Sequence, residues 1–155
     1  MNSIRKAGPT QANSPAYTTR SIFLENTDKE WYLSLESDVI LNKEAVDLIV
    51  SNVQNKFAFV LHTNCYSGFN NAKERGNTDR LTMGCTLIHR SVLSEIEFRF
   101  DESLPQAHYD AFFAHDCISK NIPMVYDPSI VLEHCHDEKG SRGWCEIPKI
   151  ERRIK

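Results

Sequence analysis

The chain contains no Cys-x-x-Cys pair, no long basic run and no apolar stretch approaching the ~20 residues of a membrane-spanning helix. Its five cysteines, Cys65, Cys85, Cys117, Cys135 and Cys145, are an odd number at irregular spacings. Neither a disulfide framework nor a ribbon-type zinc site is therefore indicated, and they are read as mostly reduced thiols. The 18 Lys and Arg are outnumbered by 21 Asp and Glu, so the positive footprint on which nucleic-acid or anionic-membrane affinity rests is missing. No nucleic-acid partner and no transmembrane segment are expected. The first 16 residues are polar and proline-containing and lack the apolar centre of a signal peptide, which points to a cytoplasmic location. Internal repeats and low-complexity tracts are absent. What remains is 155 residues of ordinary globular composition, enough to build one core without disulfides or a structural metal.

Residues 1–17 carry Gly8, Pro9, Ser14 and Pro15 among polar residues and read as a loop or disordered arm. A short helix is expected over 19–25. The aromatic and aliphatic run Trp31-Tyr32-Leu33-Ser34-Leu35 has the pattern of a strand buried on both faces. Asn42 is a good N-cap for a helix whose stripe is Val46, Ile49, Val50 and Val53. Residues 56–62 read as a second buried strand, so a strand–helix–strand unit with a parallel, right-handed crossover is expected. Residues 64–80 hold four Asn, two Gly and no apolar period, the mark of a long surface loop. Beyond it the patterns give a strand over 83–89, a helical turn over 91–96, a loop over 98–105, a helix over 109–120 and short strands over 122–126 and 130–133. The fold class is α/β, with a mostly parallel sheet flanked by helices.

Three places carry chemistry. Glu36-Ser37-Asp38 follows a strand, where ligands of open α/β sheets bind, and alternation puts Glu36 and Asp38 on one side, able to meet a hard cation or ribose hydroxyls. Otherwise the pair is a solvated turn. His134-Cys135-His136 follows an apolar strand, and a period of two places both imidazoles on one face. Imidazole with carboxylate suits manganese, so His134 or His136 could share an ion with Asp38. The rivals are ordinary loop histidines and a small zinc site drawing on Cys135 and Cys145. Asp110 opens the 109–120 helix, where the dipole favours an ionised acceptor able to take a proton from a hydroxyl. Asp116 leans toward the packed face of that helix and is read as structural.

In this order the pieces resemble the catalytic domain of GT-A-fold glycosyltransferases, the nucleotide-diphospho-sugar transferases, of the inverting family-two type. Thr19-Arg20-Ser21 is similar to their Ala-Arg-Asn segment, and Trp31 through Val39 to the strand running into their Asp-x-Asp motif, with Glu36 in place of the first Asp. Met83-Gly84-Cys85 through Leu93 resembles their small-residue strand and arginine turn, and Phe98-Arg99-Phe100-Asp101-Glu102 their Phe-Asp-Glu loop. His108-Tyr109-Asp110 stands where the family has its catalytic Glu-Asp or Tyr-Asp pair, and His134-x-His136 where a metal-binding histidine is expected.

The resemblance implies a catalytic segment over 18–144 and a tail over 145–155. It implies transfer of a sugar from a nucleotide diphosphate donor to a carbohydrate or other hydroxyl acceptor. Asp38 with His134 or His136 would hold Mn2+ or Mg2+, Arg20, Glu36 and Asp38 would bind the donor, and Asp110 would be the base. The 64–80 loop and the Gly84 strand would border the acceptor. Residues 1–17 are too short to supply the first strands of the family's nucleotide-binding half, so a truncated GT-A-like sheet is expected. Either the chain is a fragment of such an enzyme, or a homo-oligomer or partner chain completes the sheet, or the module no longer turns over donor. The competing class is a non-catalytic carbohydrate- or protein-interaction module on the same scaffold.

Overall fold

The computed structural model describes residues 15–65, 72–99 and 108–134. In chain order the elements are α1 (Pro15–Asn26), β1 (Trp31–Leu35), β2 (Val39–Ile40), α2 (Lys43–Asn55), β3 (Val60–Asn64), β4 (Gly76–Thr78), β5 (Cys85–His89), α3 (Arg90–Glu95), α4 (Tyr109–Ser119), β6 (Met124–Val131) and β7 (Glu133–His134). Helix α1 starts at Pro15, inside the expected arm; proline suits a first turn, whose N–H groups have no helical acceptor.

Five strands form a mixed sheet in the order β1-β5-β3-β6-β4, and β2 and β7 form a separate two-stranded ladder. The expected mostly parallel sheet is corrected here. Only β3 and β6 pair in parallel, while β1/β5, β3/β5 and β4/β6 are antiparallel. The proposed parallel neighbours β1 and β3 are separated by β5, which runs against both. Strands β1, β3 and β6 nevertheless point the same way, so their carboxyl ends share one end of the sheet.

Strand alternation supplies two cores. Tyr32, Val60, Ile88 and Met124 face a layer built from Phe23 and Leu24 of α1, Val92 and Leu93 of α3, and Phe113 and Cys117 of α4. Trp31, Leu61, Leu87 and Val125 face the opposite layer, where α2 contributes Ala45, Ile49 and Val53. The buried face of α2 is rotated from the expected stripe: Ala45, Ile49 and Asn52 are inside, whereas Val46 and Val50 are exposed. Small Ala45 lets the helix approach the sheet, and the buried Asn52 amide donates to Ala58 O at 3.1 Å, fastening the turn that follows.

Other local expectations shift as well. Strand β1 is an edge strand with Leu33 and Leu35 exposed, not one buried on both faces. The strand expected from 56 begins at Val60, because Lys56 closes α2 in the left-handed region and leaves Phe57 and Phe59 exposed. Within the expected long loop, Gly76–Thr78 pairs with β6. The two short strands expected after α4 are one strand, β6, whose register against β3 shifts after Thr63, followed by the separate β7.

Candidate active site

Strand β1 delivers its acids to a fixed place. Ser34 Oγ donates to Met83 O at 3.0 Å and Glu36 N–H to Gly84 O at 2.9 Å, locking the end of β1 to the approach of β5. Val39 N–H then donates to Glu36 O at 3.2 Å, closing a tight turn with Ser37 and Asp38 at its corner. On the far side, β6 leads through buried Leu132 into β7, and Leu132 N–H donates to Asn64 O at 3.1 Å. The β2–β7 ladder pairs Val39 with His134 and Ile40 with Glu133. Residues nearly a hundred positions apart thereby meet: His134 Nε2 lies 3.1 Å from Asp38 Oδ2, with the imidazole 12% and the carboxylate 47% exposed.

Glu36 completes the group. One ligand atom from each of Glu36, Asp38 and His134 can be chosen so that all lie within 4.8 Å of one another. Donors bound at about 2.1 Å around an octahedral cation are about 3 Å apart when adjacent and about 4.2 Å when opposite. The Asp38–His134 separation matches the adjacent value, and none of the three separations exceeds 4.8 Å. Two carboxylates and one imidazole form a donor set that a divalent cation could use, and no cysteine joins them among the described residues.

Asp110, in the first turn of α4, feels the charge of one of these acids, Glu36. Burial pushes its carboxyl above the ordinary aspartate value; the Ala111 N–H, donated to its Oδ1 at 2.8 Å, and the nearby His108 pull it down, while the charge of Glu36 pushes it further up. The net shift is upward, opposite in direction to the one the helix dipole alone would give, because desolvation and a neighbouring carboxylate outweigh the helix start. Tyr109 lies in the same field and is pushed up to about 12 by burial, with the charges of Glu36 and Asp110 adding to it. Residue spacing alone did not reveal this link between Glu36 and the start of α4.

Not every candidate converges. The Arg20 guanidinium is buried, with Nε donating to Leu93 O at 2.8 Å and Ile96 O at 3.0 Å, so it ties α1 to α3. Arg90 similarly donates to Leu24 O, Thr27 O and Lys29 O, fixing the corner between α1 and β1. Asp116 is held by Arg99 in a two-pronged pair, both bonds 2.8 Å. His136, Cys135 and Cys145 lie outside the described residues. Cys65, Cys85 and Cys117 are free buried thiols, and burial pushes Cys85 up to about 11 and Cys117 up to about 12.

No protein-family model matches the chain, and no curated protein does. Solved structures do match, among them A197 from STIV. The fold resembles that of A197. The TM-score is 0.56 at 20% identity, over 78% of this chain and 65% of that one. This chain thus spans just under two thirds of the length of A197, and at that identity the likeness concerns the fold alone. No helix among the described residues is long and apolar enough to cross a membrane.

Proposed function

We propose that the chain catalyses the cation-dependent transfer of a sugar from a nucleotide diphosphate donor to an acceptor hydroxyl, with inversion, on a GT-A-like fold. The observation that carries this reading is the meeting of Glu36, Asp38 and His134 at the carboxyl end of β1, with Asp110 within the field of Glu36. Asp38 and His134, with Glu36 beside them, would hold Mn2+ or Mg2+. A cation bound there supplies the positive charge that a departing diphosphate requires. Glu36 is also long enough to accept a hydrogen bond from a ribose hydroxyl.

Asp110 takes the proton of the acceptor hydroxyl as that oxygen attacks the anomeric carbon from the face opposite the leaving group. Its raised pKa makes it a better proton acceptor than an exposed aspartate. The open edge of β1, with Leu33 and Leu35 uncovered, favours a companion reading in which a partner chain or second copy completes the sheet.

Calorimetric titration with nucleotide diphosphate sugars, with and without Mn2+, tests the proposal. Saturable binding that requires Mn2+ is the expected result. No binding of any such donor with Mn2+ present would move the protein to the non-catalytic interaction class.

A further inference from the structure

We infer that Asn42 is a positioning residue for the Glu36/Asp38/His134 centre: its side-chain amide braces the two chain corners that bring Asp38 and His134 together. This inference rests on the metal-site reading above and concerns what holds that site in shape. The ladder joining the two sides is only two residues long, Val39 with His134 and Ile40 with Glu133. So short a pairing is marginal by itself. Asn42 lies two residues beyond β2, at the corner into α2, and Val131 is the last residue of β6, at the corner into β7. The amide spans these corners. Its Oδ1 accepts the Ala45 N–H at 2.8 Å, capping α2, and its Nδ2 donates to Val131 O at 3.0 Å.

The two bonds fix the orientation of the amide, because a flipped side chain would set oxygen against the Val131 carbonyl and NH2 against the Ala45 N–H. They also separate two duties. Serine and aspartate can cap a helix as well as asparagine does, but the carboxylate has no donor and the serine hydroxyl sits on a shorter side chain than the amide nitrogen that meets Val131 O. A helix cap alone needs no such donor. The choice of asparagine is therefore accounted for by the corner-to-corner bond, and the group it holds in register is the Asp38–His134 pair.

The test compares the parent with Asn42→Ser, which keeps a cap and changes no charge. Three measurements are made: thermal melting, Mn2+ titration by calorimetry, and amide hydrogen exchange of the β2 and β7 segments in the cation-free protein. The expected result is a melting temperature close to the parent's, a Mn2+ dissociation constant about tenfold higher, as for lost outer partners of metal ligands, and faster exchange confined to β2 and β7. Mn2+ affinity and exchange both equal to the parent's would overturn the inference. A parent that fails to bind Mn2+, with exchange still faster in the variant, would sink the metal reading and leave the brace standing. Should Asn42→Ser fail to fold, Asn42→Asp removes the same donor while keeping an accepting oxygen and a strong cap; parent-like exchange in that variant would equally overturn the inference.

Discussion

Asp110 and Asp116 sit on one helix, six positions apart, in opposite electrical surroundings. Asp116 is gripped by the Arg99 guanidinium, which also lies over the face of the Phe112 ring at 4.7 Å, and His115 Nδ1 adds a contact at 3.1 Å. The Arg99 hydrogen bonds hold Asp116 below the ordinary aspartate range. Asp110 faces another carboxylate, Glu36, and burial raises it. An acid supplied with its own arginine is stabilised as an anion and has little reason to accept a proton. An acid desolvated beside a second acid holds a proton more readily, which is the property that general-base work uses. Helix position does not separate the two; the neighbours do.

The sharpest way to break this comparison is to make the two acids amides in turn. Asp110→Asn keeps size and an acceptor oxygen but cannot take a proton. Transfer should fall by ~10²–10⁴-fold in steady-state rate, with Mn2+-dependent donor binding by calorimetry close to the parent's. Asp116→Asn should retain turnover per folded molecule. Parent-like turnover in Asp110→Asn, with Asp116→Asn folded and inactive, would reverse the assignment.

A second test sets the pH dependence of rate against that of stability. Because the Asp110 pKa is raised, the acid limb of the rate profile should lie above the ordinary aspartate range, with rate increasing as pH rises, and should vanish in Asp110→Asn. Stability has its own acid limb from His62, a fully buried imidazole lowered to about 4 by burial, beside Thr86. A depressed folded value means that the contribution is complete above the unfolded value near 6.5 and is lost as pH falls through about 4. The loss at pH 4 should be on the order of 3 kcal/mol by denaturant titration. His62→Gln should flatten that slope without moving the rate profile.

The cation side comes next in size. Asp38→Asn keeps the shape of the turn while removing charge and should weaken Mn2+ binding by at least about tenfold, as read by calorimetry. Asp110→Asn should leave Mn2+ affinity nearly unchanged. Equal losses in both variants would mean that Asp110 belongs to the cation site instead of acting beside it.

How far these sites could be read in advance depended on whether the controlling physics was local. The Asn42 cap, the helix beginning at Tyr109 and the strand ending at His89 follow from nearby residues, and the structure has all three. Strand order does not follow from nearby residues: β5 sits between β1 and β3, a pairing that neither strand's pattern encodes. Gly76-Asn77-Thr78 has no apolar alternation and becomes a strand only because β6 offers an edge. Arg20 looks like any surface arginine until α1 packs on α3 and leaves two carbonyls to satisfy. Asp38 and His134 could be suspected as partners from residue type and strand ends, and the ladder supplies their contact. The upward shift of Asp110 depends on burial and on Glu36, neither of which is local to α4.

The smallest effect belongs to the structural acid and closes the comparison. The Arg99–Asp116 pair is two-pronged but only partly buried, with side chains 34% and 23% exposed, so solvent screens part of the attraction. Asp116→Asn should cost about 1 kcal/mol of stability near neutral pH, measured by denaturant titration. The sign of its pH dependence is fixed by the lowered pKa. The Asp116 contribution is present above the unfolded aspartate value and disappears as pH falls through the lower folded one, so parent and variant should converge in acid. Arg99→Met separates charge from packing, since a long apolar chain can still lie on the Phe112 ring while the pair is lost. If Arg99→Met and Asp116→Asn lose the same stability, and the double variant loses no more than either, the pair acts as one unit whose role is to hold the anion. Additive losses would show instead that the two side chains act independently, with Asp116 held by His115, and would weaken its use as the inert counterpart of Asp110.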